Sequence, residues 1–307
     1  MKRSLFVIAI LLSSCMSHVN KPDPDIYVTS TGDKVVFLYD YYKDYLTAIR
    51  TNPKQRDSLY KAKVLEPIFA KYLLDTTPID PPFIHDTVGF DSIITALEQQ
   101  RAETEKIISQ ALTECRKDLS SKKSVFIYIK TAIPAMKKYM DLKDMGGIAG
   151  WTTRDDRISI TIDPTIDGWR KMLKPTVAHE FTHIYCLGKI ENDSSFKWTV
   201  LDRIIFEGLA DSYAHSIYPN VKCPWTSALT KEAEISLWNK LKSKLYIQDW
   251  KLSNEILFGS DNYPGWGGYT LGYEIVQSAL KNNPNFTIKK LMDISSEQIL
   301  NMSDYKL

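Results

Sequence analysis

The chain has 307 residues, 44% of them hydrophobic and 25% charged, a composition that supports one large globular domain or two small ones. Thirty-nine Lys and Arg stand against 37 Asp and Glu, a net charge of +2. With no basic block, that balance excludes an electrostatic nucleic-acid binder, and no nucleic-acid partner is expected.

Lys2 and Arg3 precede an unbroken apolar run, Leu5 to Leu12, which ends in Leu12-Ser13-Ser14-Cys15. The run is too short to span a bilayer as a stable helix. "LSSC" is similar to the lipobox of bacterial lipoproteins, which implies cleavage before Cys15 and acyl chains on that residue. Several chains on one residue anchor firmly, because each buried methylene contributes ~0.8 kcal/mol. An ordinary secretory signal is the alternative, and either way the mature chain leaves the cytoplasm. The expectation is a lipid-anchored protein of the bacterial cell envelope. Met16 stands where lipoproteins retained in the inner membrane of enteric bacteria carry an aspartate, which favours the outer membrane. Residues 16–33, opening "MSHVNKPDPD", read as a polar, proline-punctuated tether.

Residues 34–123 read as a helical N-terminal region. Asn52 is placed to cap a helix with Pro53 at its first position. Leu59, Val64, Leu65, Ile68, Phe69, Tyr72 and Leu73 then recur at roughly helical spacing. A Pro/Asp loop follows, "DTTPIDPPFIHDT", and then a long amphipathic helix from a capping Asp91 to Leu119. No chemistry is visible in this region.

The texture changes at Ser124. "SVFIYIK" is a β-branched and aromatic run that predicts a strand. Between Met145 and Pro164, glycines and a turn-like "RDD" precede "ISITI", residues 158–162, whose alternation predicts a half-exposed strand. From Gly168 onward helices dominate. The expectation is an α+β, mostly helical fold, with a small mixed sheet in a catalytic domain spanning 124–307.

Inside that domain, "TVAHEFTHIYC" (Thr176 to Cys186) contains His-Glu-x-x-His. On a helix, His179 and His183 are i and i+4 and project from one face, so both reach one tetrahedral Zn²⁺ at ~2.0–2.1 Å. Glu180 leans to the side of that face, placed to take a proton from a metal-activated water. A catalytic zinc has three protein ligands and one open position. The third candidate is Glu207 in "IIFEGLADSYAH", reached by a loop and a returning helix. Its apolar neighbours mean that the carboxylate needs a partner. Asp211, one helical turn on, is placed to accept the second N–H of a ligating histidine. His215 continues the series, either supporting the site from behind the ligands or ending the helix with ordinary hydrogen bonds.

These residues resemble the gluzincin metallopeptidases. More narrowly, "AHEFTHIY" followed by "EGLAD" is similar to the DUF2268 family of predicted zinc-dependent proteases, over about residues 124–280. The resemblance implies a zincin-like domain with one Zn²⁺ held by His179, His183 and Glu207, and Glu180 as general base. "GYTLGYEIV" (Gly268 to Val276) is similar to the tyrosine-bearing helix of oligopeptidase-like zinc enzymes. That implies an oxyanion donor at Tyr273, preferred because it follows the second glycine, or at Tyr269. Those enzymes carry a further tyrosine where this chain has Val276, and close helix packing is the competing reading of the repeat. The "ISITI" strand is either the edge that pairs with an extended substrate or an internal strand. The implied function is a membrane-anchored peptidase acting on peptide or protein substrates. The rival is a non-catalytic lipoprotein that uses the same scaffold to hold an envelope partner, such as gliding or secretion machinery. It predicts decayed ligands, and none is decayed here. Three further cysteines, Cys115, Cys186 and Cys223, permit at most one disulfide among them, and spacing does not say which.

Overall fold

The structure, a computed structural model, describes residues 25–72, 87–134, 137, 141–190 and 196–307. The stretch similar to a lipobox, with Cys15, and most of the proposed tether lie outside the described residues. So does most of the Pro/Asp loop.

Five short strands form one sheet. Strands β1 (Ile26–Val28), β2 (Lys34–Phe37), β3 (Phe126–Thr131), β4 (Ile148–Arg154) and β5 (Arg157–Ile162) lie in the order β1-β2-β3-β5-β4. The inner three are parallel, with Val36 opposite Tyr128 and Ile129 opposite Ile160. The two edges are antiparallel to their neighbours. Ile158, Ser159 and Ile160 are all buried, as expected for a strand covered on both faces. The alternating "ISITI" stretch is therefore an internal strand, not a half-exposed edge. The edge is β4, one hairpin turn earlier.

The sheet also reaches further upstream than the sequence pattern suggests. β1 falls within the stretch read as tether, and β2 within the region read as helical. One hydrophobic cluster runs from Val35 through Leu119 to Leu300, so the N-terminal segment shares its core with the rest. Asp33, in the β1–β2 turn, anchors this join. Its carboxylate accepts from Arg116 Nε at 2.8 Å and from the Val125 amide at 2.9 Å.

Helix α1 (Tyr39–Thr51) ends at Asn52, whose side chain caps nothing. A 3₁₀ turn at Pro53–Gln55 leads into α2 (Arg56–Tyr60), a π turn at Lys61–Leu65 and α3 (Glu66–Tyr72). The long helix expected from Asp91 is two, α4 (Phe90–Gln99) and α5 (Arg101–Leu119), broken at Gln100. Gly89, at φ +79°, stands at the N-cap of α4, and Asp91 lies inside the first turn.

The C-terminal half is helical: α6 (Trp169–Ile190), α7 (Val200–Ile217), α8 (Lys231–Leu241), α9 (Trp250–Phe258), α10 (Gly267–Asn282), α11 (Ile288–Leu291) and α12 (Ser296–Met302). α6 packs against β4, β5, α5 and α7, and α7 against α10. Among the described residues no helix is long and apolar enough to cross a membrane. Cys115, Cys186 and Cys223 are free, buried thiols.

Candidate metal centre

Two helices supply the site. Residues Pro175 to Ile184 of α6 are buried on every side, so His179, Glu180 and His183 enter the core with their turn already fixed. α7 is set by a capping box: the Thr199 hydroxyl accepts from the Asp202 amide while the Asp202 carboxylate accepts from the Thr199 amide. That fixes where Glu207 and Asp211 fall along the helix.

His179, His183 and Glu207 are buried and converge. His179 Nε2 lies 3.0 Å from His183 Nε2 and 3.2 Å from Glu207 Oε2, and His183 Nε2 lies 3.2 Å from the same oxygen. Asp211 Oδ1 accepts from His179 Nδ1 at 2.8 Å and from Trp225 Nε1 at 2.9 Å. With its proton held on Nδ1, His179 turns an Nε2 lone pair toward the other two donors. Three such atoms in a triangle of this size fit a metal ion, since tetrahedral ligands at ~2.0–2.1 Å lie about 3.3 Å apart. The N/N/O set suits zinc and its first-row neighbours.

The electrostatics agree with that fit. Burial pushes the Glu207 carboxyl up, but the two imidazoles outweigh it and hold the group well below the usual carboxylate range. Burial pulls His179 down, yet Asp211 and Glu207 reverse the balance and leave it well above its ordinary value. Both shifts have one origin, the negative charge of Glu207 and Asp211, which favours a positive charge at this point: a proton on His179, or a metal ion that displaces it.

Glu180 stands beside this triangle, against the edge strand. Its Oε2 accepts from the Thr152 hydroxyl at 2.7 Å, and a Cβ at Gly150 would collide with its carboxylate. Burial raises the Glu180 pKa, restrained by His179, His183 and Thr152. Next to it, Phe206 stacks on His183 with ring centroids 4.0 Å apart.

The two tyrosines part company. Gly208 on α7 and Gly272 on α10 meet backbone to backbone, where a Cβ on either would strike a carbonyl of the other helix. So the second glycine of "GYTLGY" serves helix packing. Tyr269 then lies over the His-His-Glu cluster, its ring centroid 6.5 Å from that of His179. Burial and the carboxylates of Glu207, Asp211 and Glu180 raise its pKa well above the ordinary value. Tyr273, one turn further on, faces the exposed His215 with centroids 6.2 Å apart. Neither Tyr273 nor His215 lines the metal site. Tyr269 lines the cavities beside His179 and Glu180, and Tyr273 lies one helical turn further on.

Sequence reasoning missed Gly150, Thr152, Arg203 and Trp225. A glycine inside a strand marks close approach of another group, and Gly150 carried that signal. Arg203 extends the 207, 211, 215 series backward by one turn. Trp225 and Thr152 gave no sign, since their partners are distant in sequence.

The fold and site define a class: a mostly helical α+β protein with a buried His-His-Glu cluster able to hold a metal ion. The chain belongs to DUF2268, a family of predicted Zn-dependent proteases whose model matches residues 104–301. The match opens inside α5, upstream of the Ser124 boundary. The chain is 30% identical over 107 residues to a Bacillus subtilis (strain 168) protein described as "Uncharacterized protein YjaZ". That alignment covers 34% of this chain and 41% of the relative, so the chain spans about two fifths of the relative's length. No solved structure matches the chain.

Proposed function

We propose that the protein is a zinc-dependent peptidase of the gluzincin kind, with a zincin-like catalytic domain. It is held in the bacterial envelope by a lipid on Cys15, with the outer membrane as its site. The observation that carries the catalytic reading is the convergence of the His179, His183 and Glu207 lone pairs with Glu180 beside them. His179 Nε2, His183 Nε2 and Glu207 Oε2 would hold the ion. Three protein ligands suit a catalytic zinc, whereas structural sites use four. Zinc there supplies Lewis acidity, polarising a carbonyl and lowering the pKa of water from 15.7 toward ~7.

The chain's own residues supply the rest. Glu180, turned toward the cleft by Thr152 and Gly150, takes a proton from the attacking water and passes it to the leaving amine. Tyr269 keeps its proton and so can donate a hydrogen bond to a developing oxyanion. Among the described residues β4 pairs only with β5, so an extended peptide can add along its other edge by main-chain hydrogen bonds. The completeness of the set supports catalysis over a scaffold that merely holds a partner.

The test is metal content and peptide hydrolysis of the purified chain in detergent, beside Glu180→Gln. The wild type should hold one zinc per chain and cleave peptides. The variant should keep the zinc and lose the cleavage. A wild type that binds no zinc at micromolar levels sinks the reading. Equal hydrolysis by both proteins removes Glu180 from the mechanism.

A further inference from the structure

Arg203 is a buried cation that forms no ion pair among the described residues. It lies on α7 one turn before Glu207 and is 9% exposed. Its guanidinium carbon sits 4.0 Å from the Trp250 ring centroid and 5.8 Å from that of Trp198. Its Nε has no hydrogen-bond partner. Among the described residues no carboxylate forms an ion pair with it. Glu207, one helical turn on, is committed to His179 and His183. An isolated buried charge is costly. The aromatic rings lend their faces to the guanidinium but leave its buried Nε–H unsatisfied.

That side chain lines a cavity of ≈ 50 Å³ together with His179, Glu180, His183, Glu207 and Tyr269. Trp151 and Phe258, 48% and 41% exposed, line it as well. Because Arg203 shares this small cavity with His179, His183 and Glu207, a group that it holds lies beside that cluster. A neutral carbonyl would satisfy one N–H and leave the charge uncompensated. A carboxylate takes two N–H groups in the planar fork and neutralises it.

We propose that Arg203 anchors a carboxylate of the bound peptide, making peptides with a carboxylate at or next to the scissile bond the substrate class. This rests on the peptidase reading. The carboxylate comes either from the peptide's C-terminus or from an Asp or Glu side chain, and the same guanidinium serves both. The exposed Trp151 and Phe258 give the neighbouring residue an apolar wall.

The experiment measures binding of four hexapeptides of one apolar sequence to the zinc-loaded Glu180→Gln chain by calorimetry. The four combine a C-terminal acid or amide with an internal Glu or Gln, and the wild type is assayed on all four for hydrolysis. A carboxylate on Arg203 should tighten binding by about ten- to a hundredfold in one pair, the range of a charged hydrogen bond. A preference for the acid assigns the C-terminus; a preference for Glu assigns the side chain. Adding Arg203→Met should abolish the preference while leaving the zinc content alone, and Arg203→Lys should restore part of it. Should Arg203→Met fail to hold zinc, the comparison in the Arg203-intact chain still decides. Peptides that are cleaved but bind without regard to either carboxylate overturn this inference and leave the peptidase standing. A wild type that cleaves none of them and no longer peptide either overturns the peptidase reading, and this inference with it.

Discussion

Asp211 does two things with one oxygen. Its Oδ1 accepts hydrogen bonds from His179 Nδ1 and from Trp225 Nε1, so the tryptophan holds the carboxylate and the carboxylate holds the imidazole. Removing a partner of this kind typically weakens metal binding ~10–100-fold. Asp211→Ala should do so in a chelator competition, and Trp225→Phe should shift it the same way by less. Unchanged affinity in Asp211→Ala would mean that His179 orients itself without help. The tyrosines make a second residue-scale prediction. Tyr269→Phe should lower kcat by ~10²–10³-fold with little change in KM, the usual loss for one oxyanion donor. Tyr273→Phe should leave kcat within about twofold of wild type, on the same scale. The reverse pattern would return the role to Tyr273. The ligands were legible in the chain because His179/His183 and Glu207/Asp211 each repeat at one turn, and a helix puts such pairs on one face. The same logic could not separate Tyr269 from Tyr273. Helical spacing identifies a face, but which turn meets the ligands depends on where α10 docks.

That docking is set at the scale of the element. Gly208 and Gly272 allow the α7 and α10 backbones to touch, and only at that depth does Tyr269 reach over His179. Gly272→Ala puts a methyl against the Ile204 carbonyl. Backbone cannot yield as a side-chain tip can, so the helices must part, at a cost of about 1–3 kcal/mol. The variant should unfold at lower temperature, and the raised α10 should withdraw Tyr269 and lower kcat. A Gly272→Ala chain with wild-type stability and turnover would show that the glycines do not set the register. The sheet was less legible than the helices, for physical reasons. β1 and β2 span three and four residues, too few to display a period. In β5 the Ile-Ser-Ile alternation suggested one wet face. But Ser159 is small enough to be buried beneath the helices that cover a parallel strand. The break at Gln100 is invisible for the opposite reason: apolar residues continue at helical spacing through both α4 and α5.

Among the described residues one large core joins the N-terminal helices to the half that carries the His-His-Glu cluster, and it encloses groups that must ionise if it opens in alkali. Burial pushes the thiols of Cys115 and Cys186 up to about 12. Burial does the same to the Tyr42 hydroxyl, moderated by Tyr60, and to the Tyr45 hydroxyl, moderated by Arg56. Free Cys and Tyr ionise near ~8.5 and ~10. Between those values and about 12 the folded chain therefore binds more protons than the unfolded one. Stability falls with rising pH wherever the native state holds the excess. Below about pH 8.5 these groups are protonated in both states and their contribution is fully present; it drains away as pH climbs toward 12. The melting temperature should therefore decline steeply through that window. Tyrosinate absorbance from the buried rings should rise together with unfolding, not before it. Because Tyr42 and Tyr45 lie in the N-terminal helix α1 while Cys186 lies in α6, all three report on the same core. Thiol reactivity and tyrosine ionisation should follow one cooperative transition. Two separated transitions, with the tyrosines released while Cys186 stays protected, would mean that the N-terminal helices fold as a unit of their own, against the continuous core.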